Sequence, residues 1–182
     1  MNRLTVAIAS WVLLGLEIGL RVTGVGPGLV FILAMFIAMC AHPRHASWAA
    51  LLLGLLIDLT SPLALTSPGP PAILVGPHAV AYLLGAHLVL ALRGVMIRRN
   101  PLTLGFLSLG AGLVAQTALL AFYWFRALID PVAFTPSGEM LARLGWALVT
   151  GAAAVPLAFV LIPLAEIMGL PSQTQRRFGR RE

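Results

Sequence analysis

Charge is what this sequence has least of: only 10% of its 182 residues are charged, against roughly 25% in a soluble domain. Water-facing surfaces need charge and hydrocarbon rejects it, so the shortage excludes an ordinary soluble globule. Lysine is missing altogether, and all 12 basic residues are arginine. Cysteine occurs once, at Cys40 inside an apolar run. A single thiol excludes a disulfide framework or a cysteine metal cluster within one chain, and Cys40 reads as a small packing residue. No Ser-His-Asp order, HExxH, GxSxG or phosphate-cradling glycine loop is present, so neither a catalytic constellation nor a cofactor or metal motif is expected. The pI of 11.3 would hint at nucleic acid in a soluble protein, but the basic and aromatic interleaving that single strands require is missing. No internal repeat is evident.

What remains is apolar: 59% of the residues are hydrophobic and the mean hydropathy is +0.96. Since a span needs about 20 apolar residues, the length accommodates roughly six or seven spans at most. The expected fold is all-α, a polytopic helical membrane protein of about six transmembrane helices. One transmembrane domain covers residues 1–170, and an arginine-rich tail follows at 171–182.

Span 1 is expected over Leu4–Val22. The opening looks like a signal peptide, yet Glu17 interrupts its far end and no small-x-small cleavage site follows, so it reads as a retained span. Glu17 and Arg21 stand in the favourable order for an i,i+4 ion pair. Gly15 and Gly19 form a GxxxG, which permits close approach of another helix. After the turn at Gly24–Gly28, span 2 runs to Ala41, and His42-Pro43-Arg44-His45 is expected to break it. Span 3 is expected over Ala46–Leu59; fourteen residues of helix cover only about 21 Å of a ~30 Å hydrocarbon core. Pro62, Pro68, Pro70 and Pro71 forbid a regular helix in the next connection. Span 4 is expected over Ile73–Arg93 with Gly76-Pro77 in its first turn. Asn100 and Pro101 are a natural N-cap and N1 for span 5, Leu102–Phe125, which ends on the interfacial aromatics Tyr123 and Trp124. A loop containing Asp130-Pro131 and Pro136-Ser137-Gly138 leads to span 6, Leu141–Ile167.

With six spans, Arg3, Arg44, Arg93, Arg98, Arg99 and the tail arginines 176, 177, 180 and 181 fall on one side; Arg21, Arg126 and Arg143 fall on the other. Positive charge accumulates on the cytoplasmic side, so both termini are expected there.

Asp58 is the most informative residue, because an ionisable group in an apolar run costs at least about 2.5 kcal/mol to insert at a span's centre. It falls near the outer end of span 3, and His78 falls at a similar depth in span 4. A contact between them is expected, as a hydrogen-bonded staple between helices rather than as a proton path. Tyr82 shares the His78 face, one helical turn on. His87 is nine residues from His78 and points the opposite way, so the two cannot share a metal. His42 and His45 are expected to be solvated. Gln116 reads as an interhelical hydrogen bond and Glu166 as an interfacial residue.

Two segments carry a family resemblance: Gly54-Leu-Leu-Ile-Asp58-Leu-Thr-Ser61-Pro62, and Gly76-Pro-His78-Ala-Val-Ala-Tyr82-Leu-Leu-Gly85. With the arginine-rich turn that follows at Arg93–Arg99, they resemble the rod shape-determining protein MreD family over about residues 54–99. The proline-rich stretch 62–71 departs from the family, being longer than its usual connection. The resemblance implies a non-enzymatic scaffold of the bacterial elongation machinery in the inner membrane. Such a scaffold would bind MreC, and would link MreB filaments to RodA and a class B penicillin-binding protein. Asp58, His78, Tyr82, Gly54 and Gly76 are then structural candidates, and Gly15, Gly19, Ala34 and Ala38 candidates for contact with a partner's span. MreD-like folds also resemble the substrate-binding S-components of energy-coupling-factor vitamin transporters. That is the alternative function, and the Ala34/Ala38 spacing matches the helix face those proteins use. A vitamin site would need an outward polar or aromatic pocket, and the outer loops offer few polar side chains, which favours the scaffold.

Overall fold

The computed structural model describes residues 2–21, 26–61, 73–96, 100–129 and 136–170, with Arg3, Pro136 and Ser137 described by their backbone alone. The chain is all-α over these residues. Its helices are α1 (Arg3–Arg21), α2 (Leu29–Cys40), α3 (Pro43–Thr60), α4 (Pro77–Leu92), α5 (Pro101–Ala127) and α6 (Pro136–Ile167).

The architecture follows from α2. Its sequence, LVFILAMFIAMC, has no polar face, and a helix that is apolar all round belongs inside. Every residue from Leu29 to Met39 is buried, and the other five helices all pack against it. Twelve residues rise about 18 Å, well short of a bilayer core, so α2 is the core of the bundle. Three other helices are long and apolar enough to cross a membrane: Leu4–Arg21, Pro101–Ala127 and Gly138–Ile167. The outside of the bundle suits lipid, with Ile8, Trp11, Phe106, Phe125 and Phe159 all exposed.

Successive helices from α3 to α6 pack on one another through small residues, the packing that lipid-embedded helices use. A Cβ on Gly54 would lie 2.5 Å from the His78 carbonyl oxygen and 2.6 Å from the Ala79 Cα. Gly85 abuts Ala111, Gly105 abuts Gly151 and Val155, and Gly112 abuts Ala147. Helix α1 leans chiefly on α2.

Three helix starts differ from the sequence expectation, all for one reason. His42 is the N-cap of α3, with Pro43 at N1 and Arg44 and His45 in the first turn; the expected break is a helix start. Helix α4 begins at Pro77 and not at Ile73, because Gly76 caps it with φ +124°, a conformation that only glycine adopts readily. Helix α6 begins at Pro136, ahead of the expected Leu141. Proline's missing donor and fixed φ suit N1. Helix α5 starts as expected, with the Asn100 side chain accepting from the Leu102 N–H. The turn 22–25, the stretch 62–72, Arg98, Arg99, Asp130 and the tail 171–182 lie outside the described residues.

Candidate functional site

At one end of the bundle lie the C-terminal ends of α1, α3 and α5 and the N-terminal ends of α2, α4 and α6. Two buried carboxylates meet helix N-termini there. A buried helix start exposes N–H groups with no partner, and a partial positive charge with them. Asp58, 1% exposed, answers both for α4. Its Oδ1 accepts from the His78 N–H at 3.0 Å and the His78 ring Nδ1 at 2.7 Å. Its Oδ2 accepts from the Gly76 N–H at 2.8 Å and the Ala79 N–H at 3.3 Å. A carboxylate has about four acceptor positions, and all are taken. The close approach that allows this is set by Gly54, one turn earlier on α3. The expected Asp58–His78 contact is present, and the backbone donors make it a cap supplied across the interface.

Glu17 repeats the device for α2. Also 1% exposed, it accepts from Arg21 Nη2 at 2.8 Å through Oε1, the expected i,i+4 pair, and from the Val30 N–H at 3.0 Å through Oε2. The Gly28 N–H donates to Thr150 Oγ1 at 3.0 Å, and Gly28 carries no Cβ because the Trp146 ring occupies its place. The far end of α2 is matched by a cation: Arg93 Nη1 donates to the carbonyls of Ala38 and Ala41. Negative charge at its N-terminus and positive charge at its C-terminus both stabilise the α2 dipole.

Between these caps and α5–α6 opens a cleft of about 370 Å³, whose lining includes Arg21, His78, Tyr82, Gln116, Arg143 and Trp146. Arg143 is held on several sides: by Glu139 at 3.1 Å, by Gln116 Oε1 at 3.0 Å, and over the Tyr123 ring at 5.0 Å. Gln116 thus makes the expected interhelical bond. Tyr82 sits edge-on to Phe31 and to His78 at 4.9 and 6.5 Å between centroids. Ser61 also lines this cleft, and its hydroxyl accepts from Arg21 Nη1 at 3.1 Å. Among the described residues no group of three or more His, Cys, Asp or Glu could hold a metal.

Gly76, His78, Tyr82, Gly54 and Asp58 are therefore brought together. Gly15 and Gly19 are elsewhere, exposed on α1 with nothing within 4 Å of a Cβ on either. Ala34 and Ala38 correct the sequence reading. Both are 0% exposed inside α2, so they pack against the chain's own helices and no partner span can reach them. His87 faces away from the cleft, bonded to Leu83 O at 2.8 Å. Sequence reasoning missed the cleft because its polar groups come from helices distant in the sequence and not from loops. Arg143 had one visible signal, Glu139 four residues before it.

Comparison with protein-family models, with curated proteins and with solved structures finds no match to this chain.

Proposed function

We propose that this chain is a non-enzymatic membrane scaffold of the bacterial cell-elongation machinery, of the MreD type. The observation that supports this reading most is the union of the two segments that carry the resemblance. Gly54 and Asp58 of the first segment lock onto Gly76, His78 and Ala79 of the second, and their polar atoms are spent on that join. Their purpose is then to build a rigid body, and its unfilled helix faces are what it has to offer. The open face of α1, with Gly15 and Gly19 uncovered, suits a span of an MreC-like partner. RodA, a class B penicillin-binding protein and cytoplasmic MreB complete the proposed assembly. Gly19→Leu is expected to leave the protein folded and to reduce copurification of the MreC-like protein several-fold. Full recovery of that partner with both Gly15 and Gly19 enlarged would remove α1 as the contact.

The proposed location is the bacterial inner membrane, crossed six times, with both termini cytoplasmic. Its support is the nine arginines assigned to one side against three on the other. In that orientation the cleft opens outward. A reporter inserted in 62–71 is expected to read extracytoplasmic; a cytoplasmic signal contradicts the topology.

The cleft favours a second reading, the substrate-binding S-component of a vitamin transporter. Its size falls within the range of small-ligand sites, and aromatic walls with a few fixed polar groups are their usual lining. On this reading the purified protein carries a stoichiometric small molecule, which mass spectrometry of the denatured sample detects.

A further inference from the structure

Helices α1 and α3 both lean on α2 but scarcely on each other, and a groove of about 510 Å³ runs between them. Its walls include Ala7 and Trp11 on α1, and Trp48, Ala49, Leu52 and Leu56 on α3. The one hydroxyl in it among the described residues, Ser10 Oγ, is already bonded to the Val6 carbonyl at 2.7 Å, so the groove is apolar along its length. One end is different. A second hollow, sharing His45 and Trp48 with the groove, is lined by His42, Arg44, His45 and Trp48. The two imidazoles lie 6.2 Å apart. His42 Nδ1 accepts from the Arg44 N–H, which leaves the proton of the neutral ring on Nε2. Among the described residues no carboxylate lines either hollow.

Length identifies the occupant. From His45 to Leu56 the helix rises about 16 Å, and one leaflet of a bilayer core is about 15 Å deep. Exposed Trp48 stands at the groove's polar end, as aromatic residues do near a membrane interface. A cationic, N–H-donating rim at one end of a dry groove one leaflet deep matches a phosphate on an acyl chain. A transmembrane helix would need neither the rim nor a groove that stops at mid-membrane. We propose that this groove is a binding site for an anionic phospholipid, its acyl chain between α1 and α3 and its phosphate against Arg44, His42 and His45. This goes beyond the scaffold reading and does not depend on it; the orientation proposed above only names the leaflet, the cytoplasmic one.

The test uses the full-length protein in nanodiscs of phosphatidylcholine with an equal share of phosphatidylglycerol, released gently into a mass spectrometer with its bound lipid. Phosphatidylglycerol should be retained about fivefold over phosphatidylcholine for the arginine alone, more with the histidines. Arg44→Gln should remove most of that preference. Ala7→Phe, which fills the groove and leaves the rim intact, should remove retention of both lipids. Arg44 is exposed, so its variant keeps the test available if Ala7→Phe fails to fold. Equal retention of the two lipids by the unaltered protein overturns the proposal, as does an unchanged profile in Arg44→Gln. So does a crosslink from Leu52→Cys, in a Cys40→Ser background, to a second copy or to a partner's span.

Discussion

Burying a carboxylate costs several kcal/mol unless hydrogen bonds replace the water it loses, and Asp58 recovers that cost from four donors around its two oxygens. Removing it would leave three backbone N–H groups and a histidine ring without a partner. Each such group costs about 1–3 kcal/mol. Asp58→Ala is therefore expected to lower the yield of folded protein sharply. Asp58→Asn keeps one acceptor oxygen, so it should recover much of that yield, as measured by detergent-resistant elution and thermal midpoint. If the asparagine variant folds at full yield and function is nevertheless lost, the charge itself has a role and the cap does not explain the residue. The Asp58–His78 pairing was legible because both residues fall at the same depth of adjacent spans. The three backbone donors were not, since they depend on how the chain re-enters at Gly76. For Glu17, helical spacing revealed Arg21 and hid Val30, which lies beyond a turn.

Elements here are held end-on as much as side-on. Helix α2 is too short to cross a membrane by itself. It persists because its apolar surface is enclosed and its termini are met by Glu17, Thr150 and Arg93. The α3–α4 pair depends on Gly54 in the same way, since a side chain there would meet the backbone of His78 and Ala79, which the Asp58 cap holds. Overpacking typically costs about 1–3 kcal/mol, and this site has no flexible side chain to give way. Gly54→Val should destabilise by at least that amount, whereas Gly145→Ala, with nothing within 4 Å of its Cβ, should be tolerated. Comparable thermal midpoints for the two variants would contradict the close-packed seam. Helix number and order were readable from apolar runs alone. The starts were less so, because four helices begin on a proline and a proline reads equally as a break or as N1. Asn100 settled the choice for Pro101, whereas the polar cluster His42-Pro43-Arg44-His45 read as a break and Gly76-Pro77 as a first turn.

For the whole molecule, an apolar exterior surrounds an interior whose buried carboxylates, Glu17 and Asp58, lie near helix ends, while the neutral Gln116 and Thr150 sit within α5 and α6. That distribution is what a body assembled in hydrocarbon requires, since irregular backbone and charge are tolerated there only inside protein or near water. The two proposed functions use different surfaces: the open face of α1 for a partner span, and the cleft for a small ligand. Both were invisible at the level of composition, because lipid-facing and partner-facing residues are equally apolar and the cleft is assembled from five helices. The measurement that separates them most directly is depletion of the protein in its own bacterium, with cell shape followed by microscopy in media with and without high external vitamin. The scaffold reading predicts that the cells round up in both media. Cells that keep their shape, and whose growth is rescued by the vitamin, would contradict it and assign the chain to the transporter.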